Sequence, residues 1–289
     1  MTKRLCRQIG FGKPLLFWGF SLAFGLSRRT SMCSALSSHI LSLLYNQYYF
    51  IFAILPILLF FCGSVMEDDP IIFVLRYGSY KHYFTSKWRS LGVLCSGLWL
   101  GQITILFVTG AGLSVIKQGW DNFSGSSLLK EIAPLLVKSF PGAWVAVFCA
   151  AVYMLMGYWL IALLTLWLGH FLQRQKAIKV LLALYILTIL SIKLPIMSRP
   201  PFCYLTGINH WVLLLHNLTA GWRFPLTVIV TLLFVVTVIC SIQGGWRSAA
   251  HHHRISKGLP AYYRHILFSA SNFLVLAILL ALLVGWVWC

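Results

Sequence analysis

Between Glu67 and Leu91 the chain reads EDDPIIFVLRYGSYKHYFTSKWRSL, a polar and aromatic island between two long apolar runs. Asp68 and Asp69 ahead of Pro70 predict a helix start, because an acceptor side chain before a residue without an N–H suits the first turn. Gly78 marks a break. After it, Tyr80, Tyr83, Phe84 and Trp88 recur at helical spacing among Lys81, Lys87 and Arg89. That pattern predicts an amphipathic helix lying along a membrane face or another protein. Two readings stay open at this point, an interfacial anchor and a docking helix that transmits force from a soluble partner.

The flanks of the island decide the fold class. Hydrophobic residues make up 60% of the 289 residues and charged ones 10%, against ~25% charged in an ordinary soluble globule. The chain reads as an all-α, polytopic integral membrane bundle in a single domain, 1–289, with no repeat and no soluble domain between the spans. Stretches near the ~20 residues that cross a bilayer are Phe11 to Leu26, Tyr48 to Met66, Leu91 to Ile116, Gly142 to Phe171, Val180 to Ile196, Leu226 to Ile242 and Leu267 to Trp288. These predict six to seven spans, the first and last being the weakest.

The basic residues orient the spans, because short cytoplasmic loops retain Lys and Arg. A cytoplasmic N-terminus puts 15 of the 23 Lys and Arg inside and 8 outside. The expected location is a cell membrane, crossed many times. Nucleic acid is not an expected partner, since the basic residues are scattered and no recognition motif gathers them. On the outer side, Leu128 to Phe140, within the segment Gln118 to Pro141, predicts a short amphipathic helix, and Met197 to Pro225, too polar to span, predicts a re-entrant segment whose backbone must be buried in protein. Asn122 and Asn217 each begin a glycosylation sequon. Cys33 and Cys203 share the outer side, which leaves a disulfide open. The N-terminus is read as an uncleaved first span.

The chemistry on offer is sparse. After Glu131 the chain has no Asp or Glu, and Glu67, Asp68, Asp69 and Asp121 all fall in loops. A proton- or sodium-coupled transporter usually holds an acid inside the membrane, and paired-carboxylate catalysis needs two. No P-loop, HExxH or Gly-x-Ser-x-Gly motif occurs, and the cysteines show no metal spacing. No catalytic, cofactor or metal residue is assigned. His210 and His216, and the run His251 to His253, leave open an alternative, an integral membrane enzyme acting on lipid or prenyl substrates. A structural or immunity-type membrane protein is a third.

The order of parts narrows this. A basic N-terminal segment, a second span ending in acids, Leu75-Arg76-Tyr77-Gly78-Ser79, and then Trp88-Arg89 entering a third span together resemble permease subunits of type-2 ATP-binding-cassette exporters, nearest to their bacteriocin and antimicrobial-peptide branch. The resemblance covers the layout of the whole chain and rests on one degenerate motif. It implies a transport subunit that is not itself an enzyme, and a cytoplasmic coupling helix after the second span that docks on a separate ATP-binding subunit carrying the ATP and Mg. Asp69, Arg76, Tyr77, Tyr80, Tyr83 and Trp88 would form that docking segment. The other implied partners are a second permease copy or paralogue, membrane lipid, and a peptide or lipid-like substrate. Family permeases have six spans, so Leu267 to Trp288 would be one more than the pattern.

Overall fold

The computed structural model describes residues 2–29, 35–66, 77, 80–115, 134–172, 174–193, 207–218 and 223–243. Among these the chain is helical almost throughout, and the pairing between Ala35 and Ser114 is an isolated bridge. Helix α1 spans Thr2–Ile9 and α2 spans Gly12–Arg29, their axes bent by 71°. Helix α3, Leu36–Leu44, meets α4, Gln47–Gly63, at 50°. Helix α5 is Tyr80–Thr109, α6 the short helix 134–139, α7 Ala143–Phe171 and α8 Arg174–Lys193. Two short helices follow, α9 at Gly207–Val212 and α10 at Leu214–Leu218, before α11 at Arg223–Gln243.

Local chemistry explains the breaks. Gly10 ends α1 with φ +73°, a backbone region that glycine enters without steric cost. Asn46 separates α3 from α4 and starts the latter, its side chain accepting the N–H of Tyr49 at 2.9 Å. Inside α4, Pro56 has no N–H to return to residue 52, and a π-helical turn, Phe50–Ile54, lies where the α-ladder is interrupted.

Three helices, α5, α7 and α11, are long and apolar enough to cross a membrane, or five spans if each bent pair counts as one. That count is of the described residues, and the expected six to seven spans are not confirmed by it. Helix α8 begins at Arg174, six residues before the predicted Val180, and its first turns carry Arg174, Lys176 and Lys179. The expected span Leu267 to Trp288 lies outside the described residues.

Contacts fix the direction of each helix. Phe24 stacks on Tyr49 at 4.4 Å and Lys13 Nζ lies 4.8 Å from the centre of the Phe60 ring, so α2 and α4 are antiparallel. Trp18 of α2 donates to the Leu98 carbonyl of α5 at 3.1 Å, and Gly25 faces Thr109 further along, so these two run parallel. Trp88 meets Trp159, and Phe107 meets Trp144, making α5 and α7 antiparallel. Trp167 donates to Ser241 at 3.0 Å, which with Tyr153 near α10 sets α11 parallel to α7. The tryptophans act alike: an apolar ring fills the space beside a neighbouring helix while the indole N–H finds an acceptor there. Glycines admit them, since a side chain at Gly92 would strike Trp159 and one at Gly101 would strike Trp18.

One end of the bundle thus collects the starts of α2, α5 and α8 and the ends of α4, α7 and α11. It carries ten described basic residues: Lys3, Arg4 and Arg7 on α1, Lys13 on α2, Lys81, Lys87 and Arg89 on α5, and Arg174, Lys176 and Lys179 on α8. The opposite end has five: Arg28, Arg29, Lys138, Lys193 and Arg223. All five acids of the chain fall outside the described residues.

Candidate functional site

The segment expected to dock a partner turns a good part of its chemistry inward. No glycine or proline interrupts residues 80–91, so the helix that starts at Tyr80 runs on without a break into the apolar span. Tyr83, Phe84, Lys87, Leu91, Cys95, Leu98 and Gln102 form one buried stripe at three- and four-residue intervals. The amphipathic pattern read as a helix lying along a surface is, in its described part, the inner face of a span. Tyr83 is buried with its ring edge-on to Tyr77 at 5.6 Å, and Lys87 Nζ lies 5.8 Å from the centre of the Tyr83 ring. Trp88 is half-buried against Trp159 at 5.9 Å, its indole N–H directed at the Trp159 carbonyl at 3.4 Å. Tyr77 is half-buried and Tyr80 opens α5, while Asp69 and Arg76 lie outside the described residues.

Two polar clusters in the interior escaped sequence reasoning. The first crosses four helices: Tyr158 of α7 donates to Gln102 Oε1 at 2.7 Å, Gln102 Nε2 of α5 donates to the Tyr49 hydroxyl at 3.2 Å, and Tyr49 of α4 donates to Ser21 Oγ at 2.7 Å. Ser21, on α2, passes its own proton to the Phe17 carbonyl at 2.9 Å. Each member has a partner, as a polar group enclosed by hydrocarbon requires. The signal for it was Gln102, an amide alone in a long apolar run, which must find partners on other helices.

The second cluster sits where α9 breaks into α10. The backbone of Trp211 and Val212 comes so close to Gly157 that any side chain there would strike them. Gly157 is the central residue of the 29-residue helix α7, about 20 Å from either end at ~1.5 Å per residue. Ile208, Asn209, Trp211, Val212, Leu213 and Leu214 are all buried, so the break is enclosed by protein. Its free carbonyls are used: the His210 carbonyl accepts the Tyr153 hydroxyl and also Asn217 Nδ2, the latter at 3.0 Å. Asn217 Nδ2 also donates to the Tyr153 oxygen at 2.6 Å, and Thr227 of α11 donates to Asn217 Oδ1 at 2.8 Å. The sequon at Asn217 is therefore no glycan site in this fold, for its amide is buried and bonded. Asn122 and Cys203 lie outside the described residues. Asn209 is enclosed as fully as Asn217, at 1% exposure, yet its Oδ1 has no hydrogen-bond partner among the described residues.

A third juxtaposition joins Cys62 of α4 to Cys95 of α5, both buried, their sulfurs 4.0 Å apart. Their separation in sequence gave no sign of it. No group of three or more metal-ligating side chains forms among the described residues. Comparison with protein-family models, with curated proteins and with solved structures finds no match.

Proposed function

We propose that this chain is the membrane-spanning subunit of an exporter driven by a separate ATP-binding subunit, and that it moves a peptide or lipid-like substrate. The observation that carries the reading is the break between α9 and α10, packed against the centre of α7 at Gly157. An irregular backbone at that depth persists in a membrane only where protein or a transport path encloses it, and transporters place substrate groups at such breaks. In this reading Met197 to Pro225 is the re-entrant segment; α9, α10 and the first residues of α11 are described within it. Asn209 Oδ1 is a buried acceptor whose missing partner costs ~1–3 kcal/mol. A substrate N–H, as in a peptide, would remove that cost on arrival.

The basic end then faces the cytoplasm of a cell-membrane protein, in accord with the retention of Lys and Arg on that side. The coupling segment is at the same end. Asp69, Arg76, Tyr77 and Tyr80 remain its contact residues, while Tyr83 and Trp88 serve as the buried root that carries movement of the segment into α5 and α7. ATP and Mg belong to the partner, and a second permease copy or paralogue completes the pathway.

The test is co-purification. The tagged chain, purified in mild detergent from the cells that naturally make it, should retain an ATP-binding subunit, and the Arg76→Ala, Tyr80→Ala double variant should lose it while still inserting in the membrane. Retention of the ATPase by the double variant would overturn the docking role, and a chain that never holds an ATPase would overturn the class.

A further inference from the structure

We propose that the elbow between α1 and α2 binds the headgroup of an acidic phospholipid, with Lys3 and Arg7 holding the phosphate. The first turns of sequence already separate two faces, for Leu5 and Ile9 are four apart, and so are Lys3 and Arg7, two positions earlier. Two positions turn a helix by ~200°, which puts the pairs on opposite sides. The fold uses both faces. Leu5 and Ile9 are buried where α1 lies against α5, and Lys3 and Arg7 are exposed on the other side.

The elbow is built rather than loose. The Gly10 N–H returns to the Cys6 carbonyl at 3.1 Å with φ +73°, closing α1. Lys13 Nζ donates to the Ile9 carbonyl at 2.6 Å, and the same ammonium lies over the Phe60 ring. The basic pair is therefore held in place at the head of α2, nearly across its axis. Lysine and arginine one turn apart match a phosphate by charge and by the number of N–H donors.

What decides between a lipid and an acidic protein is the surface that continues from the elbow. Phe11, 74% exposed, is followed on α2 by exposed Leu15, Leu22 and Leu26, a stripe along the whole helix. A face of that kind on a spanning helix meets acyl chains. An anionic head and two apolar tails complement the basic pair and the stripe together, whereas an acidic protein would leave the stripe without a partner.

The experiment uses the full chain purified in mild detergent, with phosphatidylglycerol and phosphatidylcholine as probes and native mass spectrometry counting retained lipid. The wild type should retain phosphatidylglycerol over phosphatidylcholine. Lys3→Gln and Arg7→Gln should each weaken that retention about fivefold, as expected for one basic residue at an anionic surface. Lys176→Gln, at the same end of the bundle on α8, should leave it unchanged. Because Lys3 and Arg7 are exposed, the variants should elute and melt as the wild type does, which separates lost binding from lost folding. Equal retention of the two lipids, or an equal loss in Lys176→Gln, would overturn the site in favour of diffuse charge. An acidic protein that leaves the complex in Lys3→Gln, Arg7→Gln while lipid retention stays the same would overturn it in favour of a protein partner.

Discussion

Tyr158 of α7 donates its hydroxyl to the side-chain carbonyl of Gln102 on α5 at 2.7 Å, in a region closed to water on every side. The ring of Tyr158 also lies edge-on to Phe17 of α2, centroids 6.2 Å apart. Tyr158→Phe therefore keeps the ring contact and removes the hydroxyl, leaving Gln102 Oε1 without its donor. The expected loss is ~1 kcal/mol, within the range for hydrogen bonds between membrane helices and below the full cost of an orphaned polar group in a dry core. Reversible unfolding in mixed micelles measures it. Because both residues serve one bond, Gln102→Leu combined with Tyr158→Phe should cost less than the two singles added; simple additivity would show that the bond does not stabilise the bundle.

Gly157 gives a sharper contrast. Its missing side chain is the space taken by the Trp211 carbonyl and Val212, whereas Gly97 on α5 has open space around it. Gly157→Ala should destabilise the chain by ~1–3 kcal/mol, the usual penalty of overfilling a packed interior, and should release α9 from α7. Gly97→Ala should be neutral or slightly favourable, since alanine is the better helix residue. Thermal melts in detergent read both. Equal effects at the two glycines would remove the close approach on which the site description depends.

The buried sulfurs of Cys62 and Cys95 allow a direct check on how α4 pairs with α5. Their 4.0 Å separation exceeds the ~2.05 Å of a disulfide by about 2 Å, the movement that linkage requires. Iodine, small and soluble in the bilayer, should oxidise the two thiols to a disulfide, being itself reduced to two iodides as two protons leave. Peptide mapping should then recover a linked Cys62–Cys95 pair, absent in Cys62→Ser. Recovery of both thiols unlinked, after conditions that oxidise exposed Cys6, would mean that the two helices are paired differently.

How much of this was legible in the sequence varied with the physics of each part. The long apolar runs ending at Phe171 and Ile242 declared themselves because a membrane crossing demands some twenty apolar residues in succession. Helix α3 did not, since His39 and its serines look like a polar loop; eight of its nine residues are buried all the same, with the Ser38 and Ser42 hydroxyls turned to neighbouring carbonyls and His39 Nε2 to Thr109. The aromatic spacing after Gly78 was a true helical signal with an ambiguous address. Periodicity says that a helix has an apolar face and says nothing of what covers it, and here Tyr83 and Phe84 face the chain's own interior. The network through Gln102 depends on residues 21, 49, 102 and 158, which only the folded bundle brings together.

That ambiguity at Tyr83 and Trp88 can be resolved by separating stability from docking. Both side chains pack within the chain, so Tyr83→Ala and Trp88→Ala should each lower stability, by ~2 kcal/mol or more for a truncated, largely enclosed aromatic. Arg76→Ala should leave the melting temperature unchanged while weakening the hold on the ATPase. Melting and pull-down on the same preparations distinguish the two classes. A wild-type melting temperature in Trp88→Ala would show that the contact with Trp159 is dispensable and return that residue to the docking surface.

The last expectation concerns the energy source. A coupling ion must find ligands near the middle of the bilayer, and a bare charge there costs ~2.5–3.5 kcal/mol even on the mildest scale. This chain has no Asp or Glu in any of its apolar stretches, and the described hydrogen bonds at the break beside Gly157 join amides, hydroxyls and a carbonyl to one another, with the neutral side chains of Asn209 and His210 beside them. A single amide oxygen and an imidazole do not make a sodium site, since sodium needs several oxygens at once. In proteoliposomes containing the chain with its ATPase, substrate movement should follow ATP and persist when ionophores collapse the proton and sodium gradients. Movement driven by either gradient in the absence of nucleotide would place the chain in a different class of transporter and transfer the role of the helix break from substrate to ion.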